Sequence, residues 1–258
     1  MEWWQTGILA IVEGITEFLP ISSTAHLLIT SRILGLPVTE FVKSFEIAIQ
    51  LGAILAVAAM YRKQIMDPKL WGRLLAGWVP TAAAGAALYP FIKGELLENL
   101  GVTIAALFAG GIILILLEKS SIFKVQYSMK KTADLPLWKY LIIGVFQAMS
   151  IVPGVSRAAA TIIGGMMVGL SRREAVEYSF ILAVPTMAAA VGWDLFKSGG
   201  NFGRGEWVIM AVGFAGAFVS AAAAVKWLIS YVRTRDLSYF GWYRIILGAV
   251  IYLIFIFR

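Results

Sequence analysis

The chain has 258 residues, 60% of them hydrophobic and 14% charged, with a mean hydropathy of +0.81. A soluble domain is about half apolar and about a quarter charged, so these values exclude an ordinary soluble globular protein and point to the membrane. The absence of cysteine excludes a disulfide framework, a thiolate metal site and a cysteine nucleophile, while the formal net charge of +7 is accounted for by basic cytoplasmic loops and calls for no nucleic acid.

The start, Met1-Glu2-Trp3-Trp4, lacks a basic n-region, and polar Glu13 and Glu17 follow at once, so no cleavable signal peptide is expected. Residues 3–35 are apolar but carry Glu13, Glu17, Pro20, Ser22, Ser23, Thr24 and His26. The spacing predicts two half-length helices joined at a break, a re-entrant hairpin that enters and leaves on one side. Such backbone is tolerated at membrane depth only where protein or a polar cavity surrounds it. Full spans of about 20 apolar residues follow at 44–61, 74–92 and 99–117. The segment 119–139 is basic, with Lys119, Lys124, Lys130 and Lys131, and suits anionic headgroups. Residues 138–170 form a second apolar run, broken by Pro153-Gly154 and Ser156-Arg157, and spans at 178–196, 207–228 and 240–257 complete the chain. The fold expected is an all-α integral membrane protein with two re-entrant hairpins and about six transmembrane helices.

The two halves look alike. Leu34-Gly35-Leu36 resembles Val168-Gly169-Leu170, Ser44-Phe45 resembles Ser179-Phe180, and Gly77 and Gly213 fall at similar places. The reading is one membrane domain over 1–258, with a first repeat half at 1–118, a basic linker at 119–136 and a second half at 137–258. Three crossings per half is odd, so the second half is inverted, the plan of many transporters whose polar sites lie where broken helices meet. With both termini outside, 15 Lys and Arg (Arg244 among them) fall inside and 6 outside, with Arg157 left in the membrane, which obeys the positive-inside rule. Trp3, Trp4, Trp71, Trp138, Trp207, Trp242 and Tyr243 lie at predicted span ends, as an aromatic belt requires. Asp194 and Glu177 sit near span ends, where headgroup exposure is the default.

The chemistry is concentrated at the breaks. Glu13 and Glu17 stand four apart on one helical face. Two carboxylates in an apolar run repel unless a cation or an arginine joins them; the alternative is an interfacial hairpin with Glu13 in water. Pro20 is expected to end the first half-helix, and Ser22, Ser23 or Thr24 to cap the second. His26, the one histidine of the chain, lies three residues beyond Ser23 and within reach of it. A Ser–His pair beside carboxylates activates a hydroxyl nucleophile; a lone structural histidine is the plainer reading. At the second break a helix N-terminus makes an anion site, with Gly154 allowing close backbone approach and Ser156 beside it. Arg157 brings a planar fork suited to phosphate, or a structural ion pair with Glu13 or Glu17. Thr161 shares its face as a supporting hydrogen-bonder, and Glu46 and Gln50, again four apart, could back the site. No Rossmann, Walker or zinc pattern is present.

The run from Glu13 through Pro20 to Ser22-Ser23-Thr24-Ala25-His26 resembles the E-x-x-x-E…S-S-T-x-H signature of undecaprenyl-diphosphate phosphatases, the bacitracin-resistance family. Pro153-Gly154-Val155-Ser156-Arg157-Ala158-Ala159-Ala160-Thr161 resembles the second signature, P-G-x-S-R-S-x-x-T, with Ala158 where the family usually has serine. Phe45-Glu46, Gln50-Leu51-Gly52 and Ser179-Phe180…Ala183-Val184-Pro185 extend the similarity over nearly the whole chain. The resemblance implies hydrolysis of a polyprenyl diphosphate to the monophosphate at the outer face of the cell membrane, recycling a carrier for cell-wall synthesis. It implies Ser23 as nucleophile and His26 as base or shuttle, with a water nucleophile served by His26 or Glu17 fitting the same residues. Glu13 and Glu17 would hold a divalent cation, Mg or Ca, or position the histidine. Arg157 with the Ser156 backbone would bind phosphate, with Ser22, Thr24, Gly154, Thr161 and Gln50 as further substrate contacts. The partners implied are the lipid substrate and membrane lipids, with a homodimer as one assembly open to it. A lipid-phosphate flippase using the same midplane site is the alternative from another class, because fold alone does not set function. A scaffold would not repay the cost of so many buried ionisable groups.

Overall fold

In a computed structural model, residues 1–91, 99–120, 135–198 and 202–256 are described. They form eleven α-helices and no strand among the described residues. In chain order these are α1 (Trp3–Thr16), α2 (Ser23–Ile33), α3 (Glu40–Met60), α4 (Arg62–Ile65), α5 (Pro68–Phe91) and α6 (Leu100–Lys119). Then follow α7 (Leu137–Ala148) with a 3-10 turn at Met149–Ile151, α8 (Arg157–Met167), α9 (Arg172–Ser198), α10 (Arg204–Tyr231) and α11 (Ser238–Ile256). Five stretches are long and apolar enough to cross a membrane: Glu40–Met60, Leu100–Lys119, Arg172–Gly192, Arg204–Tyr231 and Ser238–Phe255. The sixth expected span, 74–92, runs through α5 as far as Phe91. Large apolar side chains such as Ile8, Ile11, Leu75, Val79, Ile112 and Val219 face outward. On a soluble surface such a belt would be a liability; against acyl chains it costs nothing. The chain is an all-α integral membrane protein.

Both broken segments are pairs of short helices. α1 packs on α2 and α7 on α8, and neither half of a pair is long enough to cross a bilayer alone. The first helix of each pair leans on the other half of the chain, α1 on α10 and α7 on α5. Small residues make this possible. A Cβ at Gly14 would lie 2.6 Å from the Ala217 carbonyl, and one at Gly144 would lie 2.5 Å from the Gly77 carbonyl. Hydroxyls then tie the same crossings: Ser220 Oγ donates to Ala10 O at 3.2 Å, and Thr81 Oγ1 donates to Gly144 O at 3.1 Å. α3 and α9 pack together between these crossings, and α6 pairs with α11.

Each second helix starts at a strained serine. Ser22 (φ 72°) and Ser156 (φ 71°) are the only non-glycine residues with positive φ among the described residues. Each caps the helix it precedes, accepting from Ala25 N at 3.4 Å and from Ala159 N at 3.2 Å. Left-handed backbone costs a residue with a Cβ about 1–3 kcal/mol, and such strain tends to persist at sites where it positions a neighbour. Here the neighbours are Ser23 and Arg157.

Several expectations are adjusted. α1 ends at Thr16, four residues ahead of Pro20, and residues 17–21 form turns; the Thr16 hydroxyl donates to Val12 O at 2.8 Å. Of the three candidate caps Ser22 is the one used, and Thr24 is exposed. Lys124, Lys130 and Lys131 lie outside the described residues, as does the side chain of Asp194. Glu177 pairs with Arg173 at 2.7 Å. The six tryptophans assigned to the belt are exposed, as is Tyr243, which has a second task described below.

Candidate active site

The two breaks meet through Glu17. Ser23, the first residue of α2, donates its hydroxyl to Glu17 Oε2 across the turn. From the other half, Arg157, the first residue of α8, places Nη2 3.2 Å from Glu17 Oε1 and 3.4 Å from the Glu17 carbonyl. The Arg157 side chain is held from behind, with Nη1 donating to Ser179 O at 3.1 Å and Cζ lying 5.6 Å from the centre of the Phe18 ring. Its Nε is buried and without a hydrogen-bond partner among the described residues. A buried guanidinium N–H is rarely left so, because desolvating it is costly. An anion in the break would satisfy it.

Glu13 is wholly buried, and neither carboxylate oxygen has a hydrogen-bond partner among the described residues. It lies within electrostatic reach of Glu17, Glu46 and Arg157. Glu46 in turn accepts from Ser31 Oγ at 3.1 Å, and Gln50 sits one turn further along α3, half-buried. Two carboxylates one turn apart, one of them orphaned, fit a hard divalent cation that takes its other ligands from phosphate oxygens and water. No cluster of three or more acidic, histidine or cysteine side chains suited to a metal occurs among the described residues.

The structure does not pair Ser23 with His26. The His26 ring folds back on its own helix start, with Nδ1 2.7 Å from the Ser22 carbonyl, while Nε2 lies 2.7 Å from the Tyr243 hydroxyl of α11. The reason is geometric. Ser23 stands at the mouth of the turn, where Glu17 claims its proton, and His26 is aimed at α11 instead.

The second-break residues around Arg157 are placed as follows. Gly154 (φ 91°) meets α6 at close quarters: a Cβ there would lie 3.0 Å from Ala106 Cβ and would collide with the Thr103 carbonyl. Its missing side chain therefore admits the backbone of α6. The Ser156 hydroxyl is engaged as the cap of α8. Thr161 is fully buried, with its hydroxyl on Arg157 O at 2.8 Å and on Ser179 Oγ at 2.6 Å, the supporting hydrogen bonds expected of it beside Arg157.

Arg244 was missed. Counted from sequence among the cytoplasmic charges, it is fully buried between the two breaks. Its guanidinium donates to Pro20 O (3.3 Å) at the first break, to Val155 O (3.0 Å) and Gly154 O (2.8 Å) at the second, and to Ala106 O (3.0 Å) and Leu107 O (3.4 Å) of α6. One side chain thus ties three segments whose carbonyls would otherwise be buried unpaired. The available signal was position: the span expected from 240 places Arg244 one turn inside the membrane. Tyr243, beside it, also lines a groove of about 800 Å³ shared with Leu19, Ile21, Trp227, Tyr231 and Phe240.

Comparison with known proteins agrees along the whole chain. It is 49% identical over 258 residues to the undecaprenyl-diphosphatase of Aquifex aeolicus, covering 100% of both chains. It is 46% identical over 246 residues to that of a Sulfurihydrogenibium species, covering 95% of this chain and 96% of the relative. It is 45% identical over 251 residues to that of Thermus thermophilus, covering 96% of this chain and 95% of the relative. The family described as bacitracin resistance protein BacA matches residues 6–250, and the chain belongs to that family.

Proposed function

We propose that this protein is an undecaprenyl-diphosphate phosphatase, a membrane hydrolase that cleaves the terminal phosphate of a polyprenyl diphosphate and returns the monophosphate carrier to cell-wall synthesis. The observation that carries this reading is the Ser23–Glu17–Arg157 cluster, in which a hydroxyl already donates to a carboxylate beside an arginine with an unpartnered buried N–H. Full-length relatives carrying the name undecaprenyl-diphosphatase support it independently.

Arg157 binds the terminal phosphate, its Nε donating to an oxygen of the anion. Ser23 Oγ attacks the terminal phosphorus as its proton passes to Glu17, and the bond to the bridging oxygen breaks, releasing the polyprenyl monophosphate. Glu17 gives that proton to the departing monophosphate; water then attacks the phosphoserine phosphorus and passes a proton to Glu17, which returns it to the Ser23 oxygen as inorganic phosphate leaves. Attack by water in the first step, activated by the same carboxylate, uses the same residues. Glu13 and Glu17 would hold a divalent cation, Mg or Ca, whose contribution is to neutralise phosphate charge.

The finer readings belong to the same proposal. The short helix pairs re-enter the membrane from opposite sides as parts of an inverted repeat, and the site faces outward. The test is phosphate release from a polyprenyl diphosphate in detergent by the wild-type protein and by Glu17→Ala and Arg157→Ala. Release that both substitutions abolish supports the hydrolase. Lipid movement across vesicles without release would overturn it.

A further inference from the structure

The sole histidine is held in one orientation from both ring nitrogens. A carbonyl oxygen can only accept, so the Nδ1 that lies 2.7 Å from Ser22 O must carry a proton. In the neutral ring Nε2 is then an acceptor, and the Tyr243 hydroxyl 2.7 Å away is the group that donates to it. The two ring planes lie within 4° of parallel, with their centres 5.6 Å apart. The same Ser22 carbonyl also accepts the backbone N–H of His26 at 3.3 Å. It belongs to a residue held at φ 72°, directly before Ser23.

We infer that Tyr243 is a positioning residue for the reaction: its hydroxyl holds His26 as the Nδ1–H tautomer, and His26 thereby clamps the Ser22 carbonyl and aims Ser23 at Glu17. This rests on the phosphatase reading for its catalytic consequence, but not for the tautomer. It gives His26 a role the Ser23 hydroxyl does not, because that hydroxyl is already taken by Glu17. It also explains why a tyrosine on a lipid-facing helix points its hydroxyl inward when an aromatic belt would turn it to the interface. Arg244, the next residue, lies within electrostatic reach of the ring.

The experiment uses the full-length protein with nitrogen-15 histidine, which gives the two ring-nitrogen signals of one imidazole. In the wild type the expected spectrum has Nδ1 protonated and Nε2 bare. Tyr243→Phe keeps the ring and removes the donor; it should mix the tautomers and lower kcat about tenfold with KM unchanged. A wild-type ring protonated at Nε2 overturns the inference. So does a Tyr243→Phe protein whose imidazole signals or kcat are unaltered, or whose loss lies in KM alone. A wild type that releases no phosphate refutes the phosphatase reading instead, and the spectrum still judges the tautomer.

Discussion

The Ser23 hydroxyl donates to Glu17, six residues earlier across a turn, and not to His26 on its own helix. In the proposed reaction that bond makes Glu17 the base for Ser23. A carboxylate that already accepts a hydroxyl proton in the resting state, and is itself held by Arg157 at 3.2 Å, is oriented for the transfer before substrate arrives.

Glu17→Gln should lower kcat for phosphate release by about 10²–10⁴, the usual worth of a positioned base. His26→Ala should cost less, since its ring acts on the backbone. Ser23→Ala tests the nucleophile in the same assay: loss to background, together with a phosphoryl group trapped on Ser23 of the wild type, assigns the attack to serine. A substantial residual rate assigns it to water.

Glu13 carries two buried oxygens with no hydrogen-bond partner among the described residues. Exhaustive chelation should therefore abolish turnover, and Mg or Ca should restore it. Glu13→Gln should raise the cation concentration needed for half-maximal rate by about tenfold, since it removes one of two charged ligands. Full activity in a metal-free preparation would remove the cation from the site.

Arg244 donates to carbonyls at both breaks and on α6. Arg244→Met keeps bulk but leaves these acceptors buried and unpaired, which should destabilise the protein by about 3 kcal/mol or more. The readout is a fall in Tm in detergent. Arg244→Lys should recover only part of it, because an ammonium cannot span the same set of oxygens.

The topology predicts both termini outside. A cysteine at position 2, the only one in the chain, should react with membrane-impermeant reagents on intact cells, whereas one at position 235 should require a permeant reagent. Labelling of position 2 by permeant reagents alone would reverse the orientation and place the site on the other face.

Much of the site was visible as local anomaly. Glu13, Glu17, Ser23 and Arg157 stand out because a charge or hydroxyl cluster inside an apolar run is costly, and proline and glycine mark where a helix stops. Arg244 and Tyr243 did not stand out, because a Trp-Tyr-Arg run near a span end has the composition of an ordinary interfacial flank. At Gly154 the missing Cβ makes room for the Thr103 backbone of α6, a neighbour that local spacing could not name.

Membrane residence, helix count to within the short α4, and the two breaks follow from hydropathy and chain punctuation, which act over a turn or two and can be read along one strand of text. Which donor meets which acceptor at the breaks was decided by packing. Ser23 and His26 lie on one helix, yet their partners, Glu17 and Tyr243, come from opposite ends of the chain. Side-chain direction there depends on how α11 and the two helix pairs close around Arg244, a long-range arrangement that no local spacing encodes.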